Sequence, residues 1–182
     1  MLRLLAFLVL LLSTGPVLAQ DAVLVAPRCP DPPPSVDGRL GEWQASRWGR
    51  VIETRQHATF GAEHWKGAGD LSARVWFGWD AANLYLAADV RDDMVEQPHR
   101  GGALYRGDHI ELFVRTHPGS RPAERFTEED WQFGFSPGNF SSTGDPLADI
   151  APEGVVFWPA NTAVEGMRVA ALRTEAGYTL EA

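Results

Sequence analysis

Along residues 71–79 every odd position is apolar (Leu71, Ala73, Val75, Phe77 and Trp79), and Ser72, Arg74 and Gly78 fall between them. A period of two marks a strand with one buried face. A turn at Asp80 to Asn83 follows. Leu84, Leu86, Ala88 and Val90 then lie on one face and Tyr85, Ala87 and Asp89 on the other, so the two segments predict a hairpin. The alternation returns from His109 to Arg115, with Ile110, Leu112 and Val114 inward and His109, Glu111, Phe113 and Arg115 on the opposite face. It returns again in Trp131, Phe133 and Phe135 before a turn at Ser136 to Asn139. Residues 155–158, 167–173 and 178–182 are further strand candidates, and the one helix candidate is a short acidic stretch from Ala123 to Asp130. Many short strands separated by turns predict an all-β fold, an antiparallel β-sandwich of the immunoglobulin or jelly-roll kind. Tyr178, Leu180 and Ala182 still alternate at the last residue, so the sandwich is expected to be truncated at its C-terminus, with further strands belonging to it.

The first residues follow another pattern. Arg3 precedes an apolar run from Leu4 to Leu12, and Ser13 to Pro16 lead into Val17-Leu18-Ala19. This is a basic start, an apolar core and a small-residue cleavage point, and the run is well short of the roughly 18 to 20 residues that span a bilayer. Residues 1–19 are therefore expected to be a cleaved signal peptide, which makes the mature protein secreted or periplasmic, with no membrane insertion. Residues 20–34 contain Pro27, Pro30 and Pro32 to Pro34 and predict a stiff tether. The sandwich would then occupy residues 35–182. Cys29 is the only cysteine, which excludes an intrachain disulfide, a CxxCH haem attachment and a multi-cysteine zinc site.

A chain of 182 residues suits one domain. Its 16 Lys and Arg against 24 Asp and Glu give a net charge of -8, so it carries no basic footprint for nucleic acid. No HExxH motif occurs, and the histidines His57, His64, His99, His109 and His117 show no metal-ligand spacing. Asp108 and Glu111 stand three apart on a strand and point to opposite faces, which disfavours a glycosidase carboxylate pair. No residue is assigned a catalytic role.

Several segments, taken in order, resemble the family 9 carbohydrate-binding modules. Val36-Asp37-Gly38 followed by Glu42-Trp43 is similar to their opening, and Trp79-Asp80 with Leu84-Tyr85 is similar to their hairpin. Val90-Arg91-Asp92-Asp93, Gly107-Asp108-His109-Ile110-Glu111-Leu112-Phe113, Gln132 to Pro137 and Gly177 to Ala182 continue the series to residue 182. The resemblance implies a secreted, non-catalytic β-sandwich that binds a sugar or a polysaccharide chain end and supports carbohydrate degradation, as a module that a glycosidase elsewhere in a polypeptide could carry. It also implies a place near the wider DOMON superfamily.

A sugar ring offers an apolar C–H face and a belt of hydroxyls, so its recognition needs a flat aromatic surface and polar groups beside it. By resemblance Tyr105 is one aromatic wall and Glu111 contacts hydroxyls, with Arg106 and Gln132 as further ligand-binding candidates. The family's well-studied type carries an arginine where this chain has Gly134, and its second wall comes from segments beyond residue 182. Of the seven tryptophans, Trp79 and Trp131 are in phase with the apolar faces of their strands and are expected in the core. Trp76, out of phase, and Trp65, in a glycine-rich loop, are surface candidates for ligand binding. Asp37, Glu42 and Asp92 are candidate calcium ligands, with turn capping as their alternative role. Two other readings stay open. One is haem-linked electron transfer of the DOMON kind through Met94 with His99 or His109, although Met94 reads more simply as packing. The other is a structural module of the cell envelope.

Overall fold

The computed structural model describes residues 26–44, 48–116, 126–140, 150–160, 162 and 164–182. The expected leader at residues 1–19, His117 and the first part of the helix expected from Ala123 lie outside them. The rest of that stretch is no helix: residues 128–129 form a turn and a strand starts at Asp130. Its carboxylate accepts the backbone N–H and the hydroxyl of Thr127, both at 2.8 Å, and so closes the turn.

The chain forms two antiparallel sheets. One holds five strands: β1 (Arg50–Ile52), β2 (Leu71–Trp79), β3 (Leu84–Asp92), β7 (Ala170–Thr174) and β8 (Gly177–Glu181), in the order β1-β2-β3-β8-β7. The other holds three, β4 (Ile110–Arg115), β5 (Asp130–Ser136) and β6 (Glu153–Trp158), in sequence order. A sandwich follows because each sheet has an apolar face that only the other can cover. Leu71, Val75, Leu86, Ala88, Val90, Tyr178 and Leu180 from the large sheet pack with Phe135 of the small one, and Ile110, Leu112 and Phe133 join them.

The hairpin of β2 and β3 keeps one register from Leu71 opposite Asp92 to Trp79 opposite Leu84. Its turn is held by Asp80, which accepts the backbone N–H groups of Ala82 and Asn83, both at 2.7 Å, and the Tyr85 hydroxyl, also at 2.7 Å. The Tyr85 hydrogen bond, then the two backbone bonds, hold the Asp80 carboxyl down at about 2.

The large sheet is covered on both faces. Away from the small sheet, Trp76, Tyr85 and Ala87 are buried with Leu40 and Trp43, while Cys29 and Val36 pack against them. The proline-rich segment expected as a tether runs along this side: the N–H of Cys29 donates to the carbonyl of Trp79 at 2.7 Å and that of Trp79 to Pro27 at 3.1 Å. These contacts occupy the end of β2 that β1 does not reach, and so shield an open edge. Trp76, expected at the surface, is therefore only 2% exposed. Trp79, expected in the core, sits at the hairpin end and is 44% exposed, its ring N–H donating to the carbonyl of Ala26 at 3.0 Å. Trp131 is half-buried and stacks on Phe133 at 5.8 Å.

Candidate functional site

The alternation that sends Ile110 and Leu112 into the core turns Glu111 and Phe113 to the outer face of the small sheet. In register they lie opposite Gly134 and Gln132 of β5. Between β5 and β6 the pairing slips: Gln132 faces Trp158 and Phe133 faces Val156, which leaves Phe157 as one extra residue. Such a bulge re-aims a side chain. The Phe157 ring lies over Gly134, where an added Cβ would stand 2.4 Å from Phe157 Cε2 and 3.0 Å from Leu104 Cδ1. The place of the arginine expected from the family is thus taken by an aromatic ring arriving from the next strand.

A 3-10 helix, Gly101–Arg106, packs on β5 and β6 at this end of the face. Gly101 donates its N–H to the Glu153 carboxylate at 2.9 Å. Gln97, wholly buried, donates to the carbonyls of Leu104 at 3.0 Å and Asp108 at 2.7 Å and accepts the N–H of His99 at 3.1 Å. With both ends of the helix tied, Leu104 is buried and Tyr105 is left 46% exposed, its ring edge-on to Phe157 at 6.4 Å and 77°. Arg106 is exposed beside it.

Glu111 is the polar centre of the face. Its Oε1 lies 3.0 Å from Nε2 of His109, and its Oε2 accepts from Nε2 of Gln132 at 3.1 Å. The Glu111 side chain is 9% exposed and that of His109 not at all. The other ring nitrogen of His109 lies 2.8 Å from the Gly107 carbonyl oxygen, and Phe157 meets the ring edge-on at 6.5 Å. A carboxylate has about four lone-pair sites, so Glu111 still has acceptor capacity for a hydroxyl. Across the level of Gln132, Phe126 stacks on Phe113 at 5.7 Å and on Trp158 at 6.0 Å. The face therefore joins an exposed aromatic ring, a fixed carboxylate and an amide, the set of groups that grips a polyol ring.

Asp108 does not belong to this set. Its carboxylate accepts the backbone N–H of Glu96, and its own N–H donates back to the Glu96 carbonyl at 2.9 Å, so it fixes the loop before β4. Burial, chiefly, pushes its carboxyl up to about 7, and Asp92 and Glu96 add to the rise.

Glu111 and Gln132 are thus in direct contact, while Tyr105 reaches this end of the face through Phe157, and Arg106 follows it in the chain, exposed. Trp65 and Trp76 are not. The ring N–H of Trp65 donates to the Leu71 carbonyl at 2.8 Å and its ring packs on the main core, because the loop folds back on the start of β2. The Trp76 ring lies against Gly49 on the far side of the large sheet. Of the calcium candidates, Asp37 accepts the N–H of Arg39, Glu42 that of Ser35 and Asp92 that of Met94. Among the described residues no three His, Cys, Asp or Glu side chains gather as metal ligands. Met94 is 59% exposed, and the two ring nitrogens of His109 lie against the Gly107 carbonyl and the Glu111 carboxylate. A cavity of about 240 Å³ lies beneath the N-terminal prolines, lined by Cys29, Trp43 and Phe77, and takes no part in the Glu111 face.

Sequence reasoning missed Gln97 and Phe157, and considered His109 only for haem. An apolar residue inserted out of phase, as Phe157 is, gives no periodic signal, and Gln97 acts through backbone carbonyls that no motif reports. The spacing of His109 and Glu111, two apart on a strand, was a legible sign that they share a face.

No curated protein and no solved structure matches the chain. Residues 36–182 match the family described as carbohydrate family 9 binding domain-like, a span that contains both sheets and every residue of the Glu111 face. The chain belongs to the carbohydrate family 9 binding domain-like family.

Proposed function

We propose that this is an exported, non-catalytic binding domain that takes a sugar ring, at the end of a chain or free, on the outer face of the small sheet. Tyr105 stacks on the apolar face of the ring, Glu111 and Gln132 bond its hydroxyls, and Arg106 adds a donor at the rim. The observation that carries this reading is the exposed Tyr105 ring, edge-on to Phe157, at the same end of the sheet as a carboxylate in contact with His109 and Gln132. A site preorganised in this way binds without first ordering its own side chains. Within a larger polypeptide or beside a partner enzyme, such a domain would hold the catalyst on polysaccharide. Calorimetric titration with xylo- and cello-oligosaccharides tests it. Saturable binding that disappears in Tyr105→Ala is expected, and a folded protein that binds no sugar would sink the reading.

A further inference from the structure

Phe126 is 45% exposed, yet the bonds around it fix its place. The turn that follows it is closed by the Asp130 carboxylate, which accepts the N–H and the hydroxyl of Thr127, both at 2.8 Å, and is itself held by Arg115 at 2.7 Å. From β6 the indole N–H of Trp158 donates to the Thr127 carbonyl at 3.0 Å. Phe126 is thereby set against Phe113 at 5.7 Å and 16°, and against Trp158 at 6.0 Å and 25°. Three near-parallel rings, one from each edge strand and one from the turn, make an aromatic row on the outer face of the small sheet.

The row adjoins the polar centre of that face. In register Phe113 lies opposite Gln132 and Gln132 opposite Trp158, so Phe126 bridges the two strands that flank Gln132. The Gln132 amide reaches along the sheet and donates to Glu111 at 3.1 Å. Glu111 stands two residues from Phe113 on β4, a step of roughly 7 Å. At the level of Glu111 comes Gly134 with the Phe157 ring over it, and Tyr105 meets that ring edge-on at 6.4 Å. Apolar rings therefore lie at both ends of the face, with hydrogen-bonding groups between them.

We propose that Phe126, seated on Phe113 and Trp158, is a second stacking site for sugar, so that the face takes two successive units of an oligosaccharide. One unit rests on Tyr105 and the other on Phe126, and hydroxyls near their linkage bond Glu111 and Gln132. The inference rests on the sugar-binding reading above and names its ligand class, a disaccharide or a longer chain segment. The occupant follows from the order of groups. Every unit of a sugar chain repeats an apolar C–H face and a belt of hydroxyls, the same alternation that this face presents. The step between Phe113 and Glu111 is on the scale of one sugar unit. A single ring on Tyr105 would leave the aromatic row bare. A linked second ring covers it without a second loss of translational freedom, because the two units are one molecule.

The test is calorimetric titration of the full chain with glucose, cellobiose and cellotriose and with xylose, xylobiose and xylotriose. It compares the wild type, Phe126→Ala and Phe126→Leu, with the melting temperature of each. In the wild type we expect affinity to rise about tenfold from monosaccharide to disaccharide. Both variants should bring that ratio close to one. Leucine still covers Phe113 and Trp158 but offers no flat ring, so its effect reports stacking and not packing. In the wild type the indole N–H signal of Trp158, identified by its absence in Trp158→Phe, should shift in NMR as the disaccharide saturates. Equal affinity for monosaccharide and disaccharide, a ratio that survives in either Phe126 variant, or an unmoved Trp158 signal overturns the proposal and leaves the single-ring reading standing. The first and last of these need no Phe126 variant to fold. A folded wild type that binds none of these sugars overturns the sugar-binding reading, and the second stacking site with it.

Discussion

The ring N–H of Trp43 donates to the carboxylate of Glu181 at 2.7 Å, across 138 positions of sequence. The other carboxylate oxygen accepts the backbone N–H groups of Asp37 at 3.0 Å and Gly38 at 2.7 Å. Glu181 is 1% exposed, and burial raises its carboxyl above the ordinary range against the pull of these three donors. One side chain of β8 thus fastens the segment that covers the outer face of the large sheet.

Glu181→Ala should therefore cost more than an ordinary surface change, since it strands the buried donors of Trp43 and Gly38 away from water at about 1–3 kcal/mol for each such group. We expect a loss of several kcal/mol in urea unfolding. Glu181→Gln should lose less, as one acceptor oxygen survives. Equal stability of Glu181→Ala and the wild type would show that the N-terminal segment is not fastened there.

Asp108 sets a pH dependence of stability. Its folded carboxyl lies at about 7 against an unfolded 3.8, so folding prefers the protonated form. The stability this contributes is complete below about pH 4 and is lost as pH rises towards 7. Asp108→Asn should match the wild type near pH 4 and exceed it at pH 8 by on the order of 2–4 kcal/mol. Urea titrations at the two pH values check this.

At Gly134 the constraint is steric, because an added Cβ would meet Phe157 Cε2 at 2.4 Å. Gly134→Ala should displace that ring from between Tyr105 and His109, at a cost of about 1–3 kcal/mol for overpacking. The expected readouts are a lowered melting temperature and weakened sugar binding in the same variant. A thermally unchanged Gly134→Ala that binds normally would show that Phe157 does not depend on the missing side chain.

Tyr105→Ala should separate binding from stability. The side chain is 46% exposed, so its loss should shift stability by no more than about 0.5 kcal/mol. Sugar binding measured on the same sample should disappear. A large drop in melting temperature would instead assign the ring a packing role.

Period-two alternation by itself determined β2 to β5 and their inward faces, because each of these strands buries one side and the pleat leaves a sequence no other way to do so. It misjudged Trp76 because it assumed that the second face of the large sheet met water. That face is covered by residues 28–43, which carry no periodic sign of where they dock. Asp37, Gly38 and Trp43 were visible in one motif and Glu181 in another, far along the chain. Only the tertiary structure brought them to one carboxylate, since a contact between chain ends depends on the order of strands and not on any local spacing. The same holds at the site. Tyr105, Glu111 and Gln132 were legible from motif and face, while the bulge that puts Phe157 over Gly134 and the buried carbonyl that holds His109 against Glu111 were decided by packing between neighbouring strands and the loop above them.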